Sequence, residues 1–190
     1  MTVTRKRVFD LFLVVAMAPP LALTCLAVAV AVRLTSPGPA LYWSRRIGAD
    51  EREFVMPKFR TMRTDTPEVA THLLKDPAKW LTPIGSFLRK SSLDELPQFF
   101  SVLRGDMSLV GPRPALYNQY DLIAARRDCG VAPLKPGITG WAQINGRDEL
   151  PIPEKVEFDA QYARRACTAF DTAILLRTFT NVINRKGVAH

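Results

Sequence analysis

The sequence predicts an α+β chain, mostly helical, in which an N-terminal membrane helix, a small β-hairpin and amphipathic interfacial helices surround a compact core. Three observations carry this. An uncharged run of 22 residues, 11–32, follows Arg5-Lys6-Arg7. Two short strand-like segments bracket the turn-prone stretch 48–52. Two longer segments near the C-terminus repeat apolar residues at helical spacing. The 190 residues suffice for one domain with its own core. The chain therefore divides into a membrane segment, 1–35, and a domain over 36–190.

Three readings compete for residues 5–35. A cleaved signal peptide has a basic start and a cleavage-like Ala27-Val28-Ala29, yet the stretch is long and holds Pro19-Pro20 at its middle. A straight spanning helix of 22 residues extends about 33 Å, enough for the hydrocarbon core. A re-entrant helix enters, bends and leaves on the same side. The prolines lack backbone donors, so the carbonyls of Val15 and Ala16 lose helical partners and a kink is expected. Residues 11–18 then reach only about 12 Å and 21–32 about 18 Å, each short of a roughly 30 Å core. Arg33, Arg45 and Arg46 follow the run, so basic residues flank both ends without inside–outside asymmetry. These residues leave the spanning and re-entrant helices equally open.

Lys and Arg number 26 against 18 Asp and Glu, a net charge of +8. That excess suits an anionic partner: a phosphate-bearing ligand, an anionic membrane surface or nucleic acid. A solvated basic surface is the ordinary alternative. Cys25, Cys129 and Cys167 show no CxxC or zinc spacing, which argues against a disulfide scaffold and for a reducing compartment. His72 and His190 are the only histidines, so a histidine base has few candidates.

Thr35-Ser36-Pro37-Gly38-Pro39 is a rigid turn that ends the first helix. Residues 40–45 and 53–62 read as strands of a hairpin. Its Tyr42, Trp43, Arg45, Arg46, Lys58 and Arg60 suit a membrane-surface face better than base stacking, given the apolar run beside it. Short helical patterns over 67–90 are interrupted by Pro77 and Pro83. Residues 153–170 and 171–185 read as helices, the second with Leu175, Phe179, Val182 and Ile183 on one face and Arg177, Arg185 and Lys186 elsewhere. Core packing is the common use of such a face, and interfacial docking the rarer one.

Ser92-Leu93-Asp94-Glu95 fits a capping box, with Asp94 near free N–H groups and the positive end of a helix dipole. Pro97 fits a cap at Asp94 better than one at Ser92. A cap accounts for one carboxylate and not for its company: Arg89 before the pair, Arg104 after it, and Arg113 held between two prolines in Gly111-Pro112-Arg113-Pro114. A rigid arginine grips phosphate well. Adjacent carboxylates can hold a magnesium ion alongside substrate phosphates, and a carboxylate can attack phosphorus to form an acyl phosphate.

Five stretches in order, "KRVFD", "LTSPGPALYWSRRIG", "KFRTM", "LRKSSLDELPQFFSVLRGDMSLVGPRP" and "LKPGITGWAQINGR", resemble the monotopic phosphoglycosyl transferases, the bacterial sugar transferase family. The resemblance runs nearly end to end. It implies transfer of a sugar-1-phosphate from a UDP-sugar to a polyprenyl (undecaprenyl) phosphate with release of UMP, in a ping-pong sequence. It implies Asp94 as the nucleophile and Glu95 as its partner in holding Mg²⁺, with Mn²⁺ as a substitute. Arg89, Arg113 and Lys58 would bind phosphates, and Gln143 and Arg147 would line the nucleotide or sugar side. It also turns the first segment toward a re-entrant helix, with 36–190 as a catalytic domain on the cytoplasmic face of the bacterial inner membrane. Such an enzyme would take the first membrane step of glycoconjugate or exopolysaccharide assembly, as the catalytic core without the multi-span N-terminal module of larger members. One departure stands out: relatives break the helix at a Ser-Pro pair whose place here is Ala22-Leu23, whereas this chain breaks about one turn earlier.

The expected partners are a UDP-sugar, a polyprenyl phosphate and the inner membrane, with no nucleic acid; homo-oligomerisation stays open. A silent membrane scaffold is the competing class, and it has no use for adjacent carboxylates facing arginines.

Overall fold

The computed structural model describes residues 3–67, 76–146 and 150–183. Helix α1 (Val3–Thr35) carries the whole apolar run and passes through Pro19 and Pro20. It is long and apolar enough to cross a membrane, with a mean hydropathy of 2.3. Its two ends behave differently from its middle. Near the N-terminus, Asp10 and Val14 are buried; near the C-terminus, Val28 and Val32 are. Residues 15–20 between them are all exposed. A helix lying flat on a surface keeps one stripe covered at every turn. Six consecutive exposed residues mean that the proline-containing middle stands away from the domain while both legs touch it.

The two legs dock by different chemistry. The first is tied by charge. Lys6 Nζ meets Asp171 at 2.7 Å. Arg7 donates to the carbonyls of Val102 and Leu103, and Asp10 accepts from Ser108 Oγ at 2.8 Å and from the Leu109 N–H at 3.3 Å. Lys6 and Arg7 thus bind protein, which corrects their reading as charges that merely flank the membrane. The second leg is apolar: Val28 and Val32 pack with Phe59 and Leu88. Burying each such valine contributes about 1.5–3 kcal/mol. Between the legs, Thr24 Oγ1 donates to the Pro20 carbonyl at 2.8 Å, a back-bond of the kind that bends helices.

The hairpin forms as expected. Strands β1 (Leu41–Ile47) and β2 (Glu53–Phe59) pair antiparallel, with Leu41 opposite Phe59 and Ile47 opposite Glu53. A tight turn over Ala49–Glu51 joins them, with Asp50 and Glu51 at positive φ. β2 stops at Phe59, short of the expected residue 62, because Arg60 turns inward. Its guanidinium binds Ser36 Oγ, the Ser36 carbonyl and the Pro39 carbonyl, clamping the exit of α1. Arg60 is only 5% exposed, and Lys58 and Arg46 are half-buried. The basic face read as a membrane surface therefore shrinks to Tyr42, Trp43 and Arg45, because period-two alternation turns the other cations inward.

Helices α2 (Gly85–Lys90) and α3 (Gln98–Arg104) follow, then strand β3 (Ser108–Val110), helix α4 (Tyr120–Asp128), strand β4 (Gly137–Thr139) and helices α5 (Trp141–Ile144), α6 (Ile152–Arg165) and α7 (Thr168–Ile183). β3 and β4 form a short parallel pair. Their ends approach so closely that a Cβ on Gly137 would lie 2.1 Å from the Gly111 nitrogen, and one on Gly111 2.4 Å from the Lys135 carbonyl. Only glycine fits, and this contact sets the entry to the Gly-Pro-Arg-Pro loop. The main core gathers Val14, Met56, Val102, Met107, Tyr162 and Ile174 from five elements and the loop before β3.

The C-terminal helices break at 166–167, earlier than the expected 170/171. Asp171 consequently lies in the first turn of α7, fully buried and bonded to Lys6 and to the Tyr162 hydroxyl. The predicted apolar face of α7 is split. Ile174 is buried and Leu175 half-buried, whereas Phe179 (66% exposed), Leu176 and Val182 point outward. Arg185 and Lys186 lie outside the described residues. The three cysteines are free thiols.

Candidate active site

Asp94 and Glu95 sit together on a single 3-10 turn, Leu93–Glu95, between α2 and α3. The expected capping box is absent. Ser92 adopts left-handed backbone angles (φ 56°), and its side chain makes no capping bond. α3 begins only at Gln98, behind Pro97, so neither carboxylate caps it. Burial of Leu93 against the Val32 and Leu88 cluster fixes the turn from below.

Four other elements bring cations to the pair. Lys58 of β2 reaches Glu95 Oε1 at 3.0 Å, and Arg113 of the loop after β3 reaches the same oxygen at 3.1 Å. Arg89, from the last turn of α2, holds Thr61 Oγ1 at 3.0 Å with its Nε and lies within electrostatic range of Asp94. Arg46 of β1 lines a cleft with Lys58 and Arg113. Asp94 itself is 9% exposed and accepts no hydrogen bond among the described residues.

The two neighbouring carboxylates are driven apart in acidity. Burial, reinforced by the charge of Glu95, raises the Asp94 carboxyl to about 6 against the pull of Lys58, Arg89 and Arg113. Burial would raise Glu95 as well, but Lys58 and Arg113 outweigh it and hold Glu95 well below the ordinary carboxylate range. Glu95 is thus a fixed anion neutralised by two cations. Asp94 is a poorly stabilised carboxylate, and a poorly stabilised anion is a reactive one.

The Arg113 loop is held at every carbonyl from 112 to 115. Pro112 accepts from the Gly137 N–H at 2.9 Å and Ala115 from the Ile47 N–H at 3.0 Å. Arg126 of α4 donates to the Arg113 carbonyl at 2.8 Å, and Arg46 to that of Pro114 at 3.1 Å. The rest of the Arg126 fork grips Asp159 Oδ2 of α6 at 2.9 and 2.7 Å, both residues being buried. The prolines alone do not rigidify the loop. Arg126 and Asp159 escaped the sequence reading, and Arg46 was read only as part of the hairpin's basic surface. A signal for Asp159 was present: it is a charge on the inward face of α6, beside Val156, Ala160 and Tyr162.

The structure thus brings Asp94, Glu95, Lys58, Arg89 and Arg113 together. Arg104 departs from this company and pairs with Asp106 at the far end of α3. Gln143 donates to the Ile138 carbonyl at 3.4 Å and bonds none of the dyad residues. Arg147 lies outside the described residues. No group of three or more acidic, histidine or cysteine side chains gathers among the described residues. The dyad could therefore give an ion two carboxylates at most. That donor set fits Mg²⁺, which takes one or two carboxylates and completes its shell with substrate phosphates and water.

A buried, ill-stabilised carboxylate ringed by guanidinium and ammonium groups is an arrangement suited to a phosphate-bearing ligand. The chain belongs to the bacterial sugar transferase family, whose profile matches residues 1–185. It is 43% identical over 170 residues to a UDP-glucose:undecaprenyl-phosphate glucose-1-phosphate transferase of Xanthomonas campestris pv. campestris, covering 85% of this chain and 35% of that protein. It is 39% identical over 165 residues to an undecaprenyl-phosphate galactose phosphotransferase of Salmonella typhimurium, covering 79% and 34%. An uncharacterised sugar transferase of Bacillus subtilis is 39% identical over 186 residues, covering 96% of this chain and 89% of that one. The chain spans about a third of the length of several curated relatives it matches.

Proposed function

We propose that this protein transfers a sugar-1-phosphate from a UDP-sugar to undecaprenyl or a related polyprenyl phosphate, releasing UMP, through a covalent intermediate on Asp94. The observation that supports it best is the asymmetry of the dyad: Glu95 is neutralised by Lys58 and Arg113 while Asp94 is buried without a hydrogen-bond donor. An Asp94 oxygen attacks the β-phosphorus of the donor. The bond from that phosphorus to the bridging oxygen breaks, and UMP leaves with the oxygen and its electron pair. A lipid phosphate oxygen then attacks the same phosphorus. The bond to Asp94 breaks, the carboxylate is restored, and a lipid diphosphosugar departs.

Lys58, Arg89 and Arg113 would take up the phosphoryl charge, with Glu95 fixing the first and last of these in place. Asp94 and Glu95 would hold Mg²⁺ with substrate phosphates, and the ion would neutralise charge developing on the leaving phosphate. Gln143 and Arg147 are assigned to the nucleotide or sugar side by family resemblance. Exchange of labelled UMP into UDP-sugar without lipid acceptor tests the double displacement. The proposal predicts exchange with at least one donor, and no exchange with any UDP-sugar contradicts it. The reaction also needs the Asp94 carboxylate, so UMP release should fall as pH drops through about 6. It should reach roughly a tenth of its plateau by pH 5.

We assign α1 as re-entrant, which puts the catalytic domain on the cytoplasmic face of the bacterial inner membrane. The support is the docking of both legs on one domain, with the residues around Pro19 and Pro20 exposed between them. Changing both prolines to alanine restores two backbone donors. An N-terminal reporter should then move from the cytoplasmic to the periplasmic side. If it is already periplasmic in the native protein, the re-entrant assignment fails. Such a protein would act in the first membrane step of glycoconjugate or exopolysaccharide assembly.

A further inference from the structure

Gln98 opens α3, and the backbone stays helical through Leu96 and Pro97 just before it. Its side chain therefore follows Asp94 by four residues and Glu95 by three, on the same face of the turn. It is only 2% exposed. Among the described residues its amide makes no hydrogen bond. It opens instead onto a cleft shared with Arg46, Met56, Lys58, Arg113 and Pro114.

The protein gives this nearly buried amide no partner, so its hydrogen bonds can only go to whatever fills the cleft it lines. Proteins keep such groups where a ligand or water completes them. The cleft encloses about 10 Å³, room for one water-sized oxygen and for neither a sugar nor a base. Its walls carry three cationic side chains, so the oxygen it suits is anionic. Lys58 and Arg113, which meet Glu95, place that oxygen beside the dyad.

We propose that Gln98 is a substrate-binding residue whose amide donates a hydrogen bond to a phosphoryl oxygen of the donor, on the group that Asp94 attacks. The inference rests on the transfer reaction proposed above and adds a residue to it. A neutral amide there orients the phosphoryl group without strengthening its ground-state electrostatic grip, which a fourth cation would do.

Gln98→Met keeps length and removes every hydrogen-bonding atom, and Gln98→Glu keeps shape and adds a negative charge. The contact predicts that Gln98→Met melts close to or above the native temperature, since no hydrogen bond to the rest of the protein is lost. Its affinity for inorganic pyrophosphate, titrated calorimetrically in nanodiscs, should weaken about tenfold or more, as for loss of a hydrogen bond to a charged group. UMP exchange without lipid should fall similarly, and Gln98→Glu should bind pyrophosphate more weakly still. A lower melting temperature in Gln98→Met with unchanged pyrophosphate affinity marks a structural glutamine and overturns the proposal. So does full UMP exchange with loss only of transfer to lipid, which would move the contact to the acceptor phosphate. If the native protein shows no exchange yet Gln98→Met still loses pyrophosphate, the contact stands and the transferase reading fails.

Discussion

Asp94→Asn abolishes UMP release, lowering it on the order of 10⁴-fold or more, as removal of a covalent nucleophile does. The amide matches the carboxylate in shape, so the fold should survive. It should in fact gain stability at neutral pH. The unfolded aspartate titrates near its ordinary 3.8 and the folded one at about 6, so the native state binds the proton more tightly. Stability contributed by this group falls as pH rises between those values and stays low above them. Asparagine removes that penalty. Melting curves of Asp94→Asn should therefore lie at or above native at pH 7.5, with the gap closing below pH 4. Glu95→Gln should behave oppositely. Its carboxylate is held below the usual range by Lys58 and Arg113, so neutralising it leaves two cations facing each other and lowers the melting temperature. Together the pair separates a carboxylate that burial leaves poorly stabilised from one that two cations hold ionised.

Arg126→Ala produces the largest loss of stability. It leaves Asp159, 1% exposed, without its cation, and breaking a buried pair from one side costs about 3–5 kcal/mol. For a chain of this size the melting temperature should drop by roughly 10 °C or more in calorimetry. Activity should fall further than folding alone requires, because the Arg113 carbonyl loses its donor. Arg126→Lys tests that second effect. An ammonium keeps the charge near Asp159 but lacks the planar fork that spans both acceptors. Its melting temperature should fall less, while kcat/KM stays depressed. An Arg126→Met, Asp159→Leu double variant should recover stability without recovering kcat/KM.

The parts of the fold legible in the sequence are those written in local pattern. The hairpin follows from alternation and a turn, and α1 from an uncharged run. The company of dyad and arginines was legible in the order of residues 89–113, whereas Lys58 joined it only through the family's motifs. What escaped is long-range or depends on one backbone angle. Lys58 and Glu95 are 37 residues apart, and Arg126 and Asp159 are 33 apart. No periodicity joins such positions. The capping box failed because Ser92 enters the left-handed region, which a serine rarely does and a motif cannot announce. The break between α6 and α7 was misplaced because Asp171 looked like a helix start. It is instead a buried partner for Lys6, whose place in α1 lies 165 residues away. The charges of the hairpin were read as one surface, although alternation already separates Arg46 and Lys58 from the outward Trp43 and Arg45.

The central claim is that phosphorus bonds to the side chain of Asp94. Native protein in nanodiscs, incubated with each UDP-sugar without lipid acceptor, quenched in acid and digested, should yield a peptide spanning residue 94 that carries one sugar phosphate for at least one donor. The same peptide from Asp94→Asn should carry none. If that mass never appears for any donor, while the protein still releases UMP once polyprenyl phosphate is added, transfer is direct and the covalent account is wrong.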